Sequence, residues 1–409
     1  MRQALQFEMN GSTNSCRSTP RSWRRSSRPW RGRGPWRRLG QAIIQIALLA
    51  LFAARPALAQ HEHSAGEHSD GDHSASEFEV FVATEALGGS GQPHPRDDDA
   101  WFDADVVFGL SHDHFRVFGE YYITPYEHEF ERLQVGYELL PDTVLWLGRF
   151  HQPGSAWNTE HHHGRYLQTA VTRPSIENWE DENGLIPQHL TGALLESRRP
   201  LGPSAGLQFS TGVGITPALT SDGFDPITIG NNPHRHGTSM TGRLAFLPDY
   251  SGTSSVGLLW GHDQVYFSNP AAAAILRSNH GLLGIYGAYA DWTADAWRFI
   301  GAGYYVDIRL DAPQPDESFI AGYLQAEREL PHQLTAFGRV EDSARMRESR
   351  YVALFNDPNG DIDITVRRLS AGLRWDYARR QALSGEVAHV VGLYRNGYQV
   401  RLLWSAAIP

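Results

Sequence analysis

Apolar and polar positions alternate with a period of two along most of the chain. In "ERLQVGYEL", Leu133, Val135, Tyr137 and Leu139 fall on one face, and Arg132, Gln134, Gly136 and Glu138 fall on the other. "RLSAGLRWD" sets Leu369, Ala371, Leu373 and Trp375 against Arg368, Ser370, Gly372, Arg374 and Asp376. "RFIGAGYYVDI" opposes Ile300, Ala302, Tyr304, Val306 and Ile308 to a face interrupted by Gly301 and Gly303, and "LTAFGRVED" opposes Leu334, Ala336 and Val340 to Thr335, Arg339 and Glu341. Side chains of a strand point to opposite faces in turn, so this spacing reads as β-structure. Such runs predict strands at 78–86, 101–110, 114–124, 131–139, 143–150, 189–197, 205–216, 238–246, 254–262, 281–292, 297–308, 318–328, 333–342, 367–376, 382–391 and 398–406. Each is close to the roughly ten residues that a tilted strand needs to cross a membrane.

The connections discriminate further. Those after the even-numbered strands are short, as in "SHD", "LPD", "TADA", "ELPH" and "YARRQ", whereas 151–188, 217–237, 263–280 and 343–366 follow odd-numbered strands and are long. Strict alternation of short turns with long loops, both termini lying at the short-turn end, is the pattern of an outer-membrane barrel. The expected fold is therefore all-β, a transmembrane antiparallel β-barrel of about sixteen strands. Leu140-Pro141-Asp142, Leu247-Pro248-Asp249 and Leu330-Pro331-His332 repeat within the short turns, where proline presets φ and cannot continue a ladder. Tyr121, Tyr122, Trp146, Trp292, Trp297, Trp375 and Trp404 stand near strand ends and are expected to form aromatic girdles against the surrounding lipid.

The N-terminal segment lacks this alternation. Ala42 to Ala54 is apolar, is preceded by Arg37 and Arg38 and is followed by Ala57-Leu58-Ala59, so residues 1–59 read as a signal peptide with an extended N-terminal region, cleaved after Ala59. The only cysteine, Cys16, lies within it. All 36 basic side chains are arginine; 11 of them and 1 of the 46 acids precede residue 60, leaving 25 arginines against 45 acids and a formal charge of −20. That balance excludes a nucleic-acid partner, whose phosphates demand a basic surface. Residues 60–76 hold His61, His63, His68 and His73 among Gly, Ser, Asp and Glu. They are too polar to bury a core and read as a disordered periplasmic tail, with the barrel occupying 77–409. Such histidines are competent ligands for Zn²⁺, Ni²⁺ or Cu²⁺, bound weakly because the segment must be ordered to bind, and a merely solubilising tail is the plain alternative.

On the charged faces of the strands, Arg116, Arg132, Arg243, Arg339, Arg368, Arg374 and Arg401 join Glu120, Glu138, Glu341, Asp376 and Glu386. They are expected to line a hydrated pore, since buried charge without water or partners is prohibitively costly; an Arg/acid network filling a closed barrel is the alternative. The longest connection, 151–188, carries His161, His162 and His163 and then Glu177, Glu180, Asp181 and Glu182. A connection of that length is usually functional. Folding inward to narrow the barrel is one role for it, and a metal site from His151, His161, His163 and His189 is another. No nucleophile elbow, zincin, Walker or dinucleotide motif occurs, which leaves no enzyme signature and requires no cofactor; a hydrolase assembled from distant strands stays as a lesser alternative.

The strand ending Leu147-Gly148-Arg149-Phe150 and passing through Pro153 into the long loop, within "LWLGRFHQPGSAWN", resembles the bacterial outer-membrane porin superfamily, particularly the phosphate-selective porin O and P type and its uncharacterised relatives. The resemblance implies an outer-membrane channel for small hydrophilic solutes or ions in a Gram-negative bacterium, surrounded by outer-membrane lipid and assembled as a homotrimer. Phosphate does not carry over as substrate, because this loop is histidine-rich and acidic and the chain has no lysine.

Overall fold

The computed structural model describes residues 74–408 apart from 91–99, 126–127, 160, 162–164, 181–183, 221–222, 228–233, 312–313 and 356–362. Sixteen strands form the barrel: β1 (Ser74–Ser90), β2 (Ala100–His112), β3 (Phe115–Ile123), β4 (His128–Leu140), β5 (Thr143–His151), β6 (His189–Leu201), β7 (Ala205–Ile215), β8 (Thr238–Leu247), β9 (Ser255–Tyr266), β10 (His280–Ala294), β11 (Trp297–Leu310), β12 (Glu317–Leu330), β13 (Leu334–Ala344), β14 (Thr365–Ala378), β15 (Gln381–Gly392) and β16 (Asn396–Ile408). Every strand pairs antiparallel with its neighbours in sequence, and β1 closes on β16 in a register running from Val80 opposite Ile408 to Ser90 opposite Tyr398. Closure leaves no free strand edge, a requirement in lipid, where no water can satisfy exposed backbone groups. Several strands outrun the sequence expectation by a few residues, and β1 begins at Ser74, inside the segment expected as tail.

The short turns reverse the chain through left-handed residues. Asp113, Asp142 and Asp295 take φ of 51°, 56° and 50°, and His332, Gln333 and Arg380 take 65°, 60° and 62°. Aspartate tolerates this region because its short side chain bonds locally. The opposite end of the barrel carries the long loops, with helices α1 (Ala156–Thr159), α2 (Pro270–Leu276) and α3 (Arg350–Leu354) and a small hairpin pairing Ala218–Leu219 with Phe224–Asp225. In barrels of this type the long-loop end is extracellular. A cysteine introduced at Ala274, exposed on α2, is expected to label on intact cells, and one at Ala296, exposed in the β10–β11 turn, only after permeabilisation. Labelling of Ala296→Cys alone on intact cells would invert the topology.

Three of the four alternating runs point their apolar row outward: Val135, Tyr137, Leu369, Leu373, Trp375 and Val340 are exposed on the barrel's outer wall. The fourth is reversed. Ile300, Ala302, Tyr304, Val306 and Ile308 of β11 face inward and are buried, and β10 and β12 follow it with Leu283, Ile285, Tyr289, Phe319, Ala321 and Tyr323. The outer row of β11 carries Phe299, Gly301, Gly303 and Tyr305. Period-two alternation separates two faces without stating which meets lipid, and the barrel interior here is apolar because another part of the chain packs against it. Two of the expected girdle residues also lie inside. Tyr122 stacks on Trp179 of the long loop, and the Trp146 indole N–H donates to Glu196 Oε2 at 2.9 Å, a carboxylate that could not face lipid. Trp292, Trp297 and Trp375 remain on the outer wall.

Candidate functional site

The 152–188 loop lies inside the barrel. Its stem continues the β5–β6 ladder: His151 pairs with His189, the Gln152 N–H donates to the Gln188 carbonyl at 2.7 Å, and the Asn158 amide donates to both the Gln152 and Gln188 carbonyls. Gly148, at φ +140°, precedes the stem; a Cβ there would sit 2.1 Å from the Leu133 carbonyl oxygen, so only glycine permits this close strand approach. Beyond the stem the loop sends Trp157, Ile176, Leu185 and Ile186 into one apolar cluster with the inward rows of β10, β11 and β12. This cluster is the core of the molecule, and it explains why those strands invert the usual pattern: apolar area is removed from water against the loop instead of against lipid.

Within that contact one carboxylate is fixed from three directions. Glu177 accepts from the Ser155 hydroxyl at 2.5 Å, from the Tyr304 hydroxyl at 2.5 Å and from the Tyr323 hydroxyl at 3.1 Å. Burial pushes its pKa above the ordinary 4.5, although these hydroxyls and Arg173 pull in the opposite direction. A carboxyl whose folded pKa is raised binds more protons folded than unfolded, so the stability it contributes is full below its unfolded pKa and is lost as pH climbs above it. Relative to Glu177→Gln, wild-type stability is therefore expected to decline as pH rises above 4.5. Thermal unfolding of both proteins in detergent across pH measures this difference, and a flat difference would show that the carboxyl keeps its ordinary value.

The opposite flank of the loop meets the charged wall of β13–β16 and β1. Arg339, fully buried, uses all five of its N–H donors: Nε to Glu341 at 2.9 Å, Nη1 to the Thr172 carbonyl at 2.7 Å and Gln325 at 3.1 Å, and Nη2 to the Thr172 hydroxyl and the Arg173 carbonyl. Glu386 accepts from the Val171 and Thr172 N–H groups at 3.0 Å each and from the Thr172 hydroxyl at 2.6 Å, and Glu341 accepts from the Ser175 N–H at 2.7 Å. Arg374, paired with Asp376, donates to the Tyr166 and Gln168 carbonyls, and Arg368 donates to the Arg173 carbonyl. Arg401 pairs with Glu85 at 2.5 Å, and Glu85 with Asp103 grips Arg165 of the loop. Arg243 reaches Thr159 at 3.0 Å. The remaining two sequence-derived pairs stand apart from the loop: Arg116 with Glu138 at 2.7 Å, and Arg132 with Glu120.

All twelve charged positions read from the alternation thus belong to the interior, and Arg243, Arg339, Glu341, Arg368, Arg374 and Glu386 bond the loop directly. Their loop-side partners, Thr159, Thr172, Arg173 and Ser175 among them, carry no periodic signal in the sequence, and neither do Ser155, Arg165 and Glu177. Glu85, Asp103 and Asp105 could have been found by extending the alternation through β1 and β2.

The histidines divide differently. His61, His63, His68, His73 and His163 lie outside the described residues. His161 accepts from Arg298 Nη2 at 3.2 Å and packs its ring against Trp157. Burial first, then the charges of Arg298, Arg173 and Arg374, hold its pKa down to about 3, so the ring is neutral in surroundings hostile to a metal cation. His151 and His189 instead lie together at the stem, ring centroids 5.0 Å apart. His163 of the expected metal quartet lies outside the described residues, and among the described residues no three His, Cys, Asp or Glu side chains converge as a metal-holding group.

No protein-family model matches the sequence, and no curated protein does. Solved structures match in fold. The anion-selective porin from Comamonas acidovorans superimposes with a TM-score of 0.55 at 12% identity, over 82% of this chain and 100% of that one. The outer membrane channel DcaP of Acinetobacter baumannii does so with a TM-score of 0.51 at 11% identity, over 84% and 100% of the two chains. At these identities the likeness is one of fold, that of the bacterial outer-membrane porins, and it does not single out the phosphate-selective type. The closed barrel with its apolar outer wall is a protein of the Gram-negative outer membrane.

Proposed function

We propose that the chain is a passive outer-membrane channel for small hydrophilic solutes, with its lumen restricted by the 152–188 loop. One observation carries the reading: among the described residues of the loop only Leu167 is exposed, and the others lie buried or half-buried between the two barrel walls. A sixteen-strand barrel otherwise leaves an aqueous channel. The loop converts that width into a narrow route, so selection by size precedes selection by chemistry. Arg116 and Glu138, whose side chains are 40% and 21% exposed, belong to the hydrated wall below it. The fold and its charged interior support a channel rather than a hydrolase. Capture of Zn²⁺, Ni²⁺ or Cu²⁺ would rest on the histidine tail, and the channel reading stands without it. Purified protein reconstituted in planar bilayers is expected to give discrete conductance steps, smaller than those of an unobstructed barrel of this strand number. Protein that inserts folded and gives no steps would overturn the reading.

A further inference from the structure

The outer wall of the barrel carries a groove of about 730 Å³ across β12–β16, lined almost wholly by apolar atoms. Its floor is the row Ala326, Gly338 and Ala371, paired in turn across three strands, and the exposed Val340 and Leu369 rise beside that row. Outward glycines elsewhere on the wall are covered by the chain itself. Phe108 lies across Gly119 and Trp260 across Gly242, where an added Cβ would meet the ring at 2.1 Å and 2.2 Å. Gly338 has no such cover. The nearest atom to a Cβ there is the Ser370 carbonyl oxygen at 4.0 Å, and Gly338 is not among the residues with positive φ, so neither packing nor backbone requires glycine. A glycine inside a strand weakens it and marks the close approach of something else.

The groove has a polar end. Along β13 and β14 the outward pairs step from Gly338–Ala371 through Val340–Leu369 to Asp342–Arg367, toward the long loops. His389, opposite Leu369, and Tyr398, its ring 4.9 Å from that of His389, continue the same row onto β15 and β16. Four residues of strand set the ion pair about 13 Å from the floor, within the roughly 15 Å of hydrocarbon that one leaflet supplies. Arg367 donates Nε and Nη2 to Asp342 at 3.1 Å each, yet the two side chains stay 63% and 57% exposed. A guanidinium recognises phosphate and a carboxylate accepts from hydroxyls. The pair therefore fits a phosphorylated sugar, whereas a bare phosphate would be drawn to Arg367 and repelled by Asp342. A second copy of the chain is the poorer occupant, because a protein interface takes about 20–30 residues a side and fourteen line this groove.

We propose that the groove holds one acyl chain of a phosphorylated glycolipid of the extracellular leaflet, with the lipid's phosphate on Arg367 and its sugar hydroxyls on Asp342. The site is on the outer wall and stands whether or not the lumen conducts. The full chain, purified in detergent and titrated with bisphosphorylated lipid A, is expected to retain one lipid per barrel in native mass spectrometry. Gly338→Leu fills the floor and is expected to lower that retention severalfold. Heat-modifiable gel mobility checks that the variant is a folded barrel, and Ala371→Leu fills the same floor if Gly338→Leu does not fold. Arg367→Gln is expected to weaken retention of the phosphorylated lipid to the level of its dephosphorylated form. Retention unmoved by a folded leucine variant overturns the groove as the site. Retention that ignores both Arg367→Gln and removal of the phosphates, or equal retention of phosphatidylglycerol, overturns the glycolipid as its occupant. Barrels that retain no lipid, associate as wild type and separate as Gly338→Leu give the groove to a second copy and overturn the proposal.

Discussion

Deleting residues 156–183 is expected to raise single-channel conductance severalfold, the largest functional change that this structure predicts. The deletion removes Trp157, Ile176 and Glu177 from the lumen together with the Thr172 segment held by Arg339 and Glu386. It leaves the stem at His151 and His189, which belongs to the barrel ladder. A second effect accompanies the first. The inward rows of β10, β11 and β12 lose their cover, and Ile300, Val306, Ile308 and Phe319, all buried in the intact protein, meet water. Exposing a fully buried aliphatic or aromatic side chain costs about 1.5–3 kcal/mol. The widened barrel should therefore melt at a lower temperature in detergent. Wider and less stable is the joint expectation, read by bilayer recording and by heat-modifiable mobility. Unchanged conductance with intact insertion would mean that the restriction lies elsewhere.

Replacing Arg339 with Leu is expected to give the largest loss of stability from a single substitution. Its guanidinium serves Glu341, Gln325, Thr172 and the Arg173 carbonyl at once, and Glu386 lies 3.9 Å away. Removing one partner of a buried ionic network leaves the other charge uncompensated, which costs about 3–5 kcal/mol. Lysine should not rescue it, because an ammonium has three donors on a point charge and cannot reproduce the planar fork. Equilibrium unfolding in urea with refolding into micelles measures the loss, and Glu341→Gln in the Arg339→Leu background should recover part of it by removing the stranded charge. A loss below about 1 kcal/mol, the worth of an exposed ion pair, would show that the network is hydrated and that Arg339 does not fasten the loop.

These two positions show how far sequence reasoning reaches. Arg339 is legible as an interior residue because Leu334, Ala336 and Val340 alternate against it, and an outward guanidinium at that depth would be expelled from lipid. Its role is not legible, because Thr172 and Gln325 meet it from segments 167 and 14 residues away. Tyr304 is the opposite case: its row is visible as an apolar face, and the direction of that face depends on the loop that packs onto it.

The sequence by itself determined the number of strands, their order, the alternation of short turns with long loops and the set of charged residues assigned to the interior. Each of these follows from local chemistry, namely period-two patterning, proline and aspartate in the turns, and the cost of charge in lipid. Only the tertiary structure decided that β10, β11 and β12 turn their apolar rows inward, that Tyr122 and Trp146 leave the girdle for the lumen, and that the 152–188 loop is held inside by Arg339, Glu386 and Glu177. The physical reason is common to all three. A period of two makes two faces equivalent until something covers one of them, and the covering segment meets the wall through contacts between residues far apart in the chain, which no local pattern records.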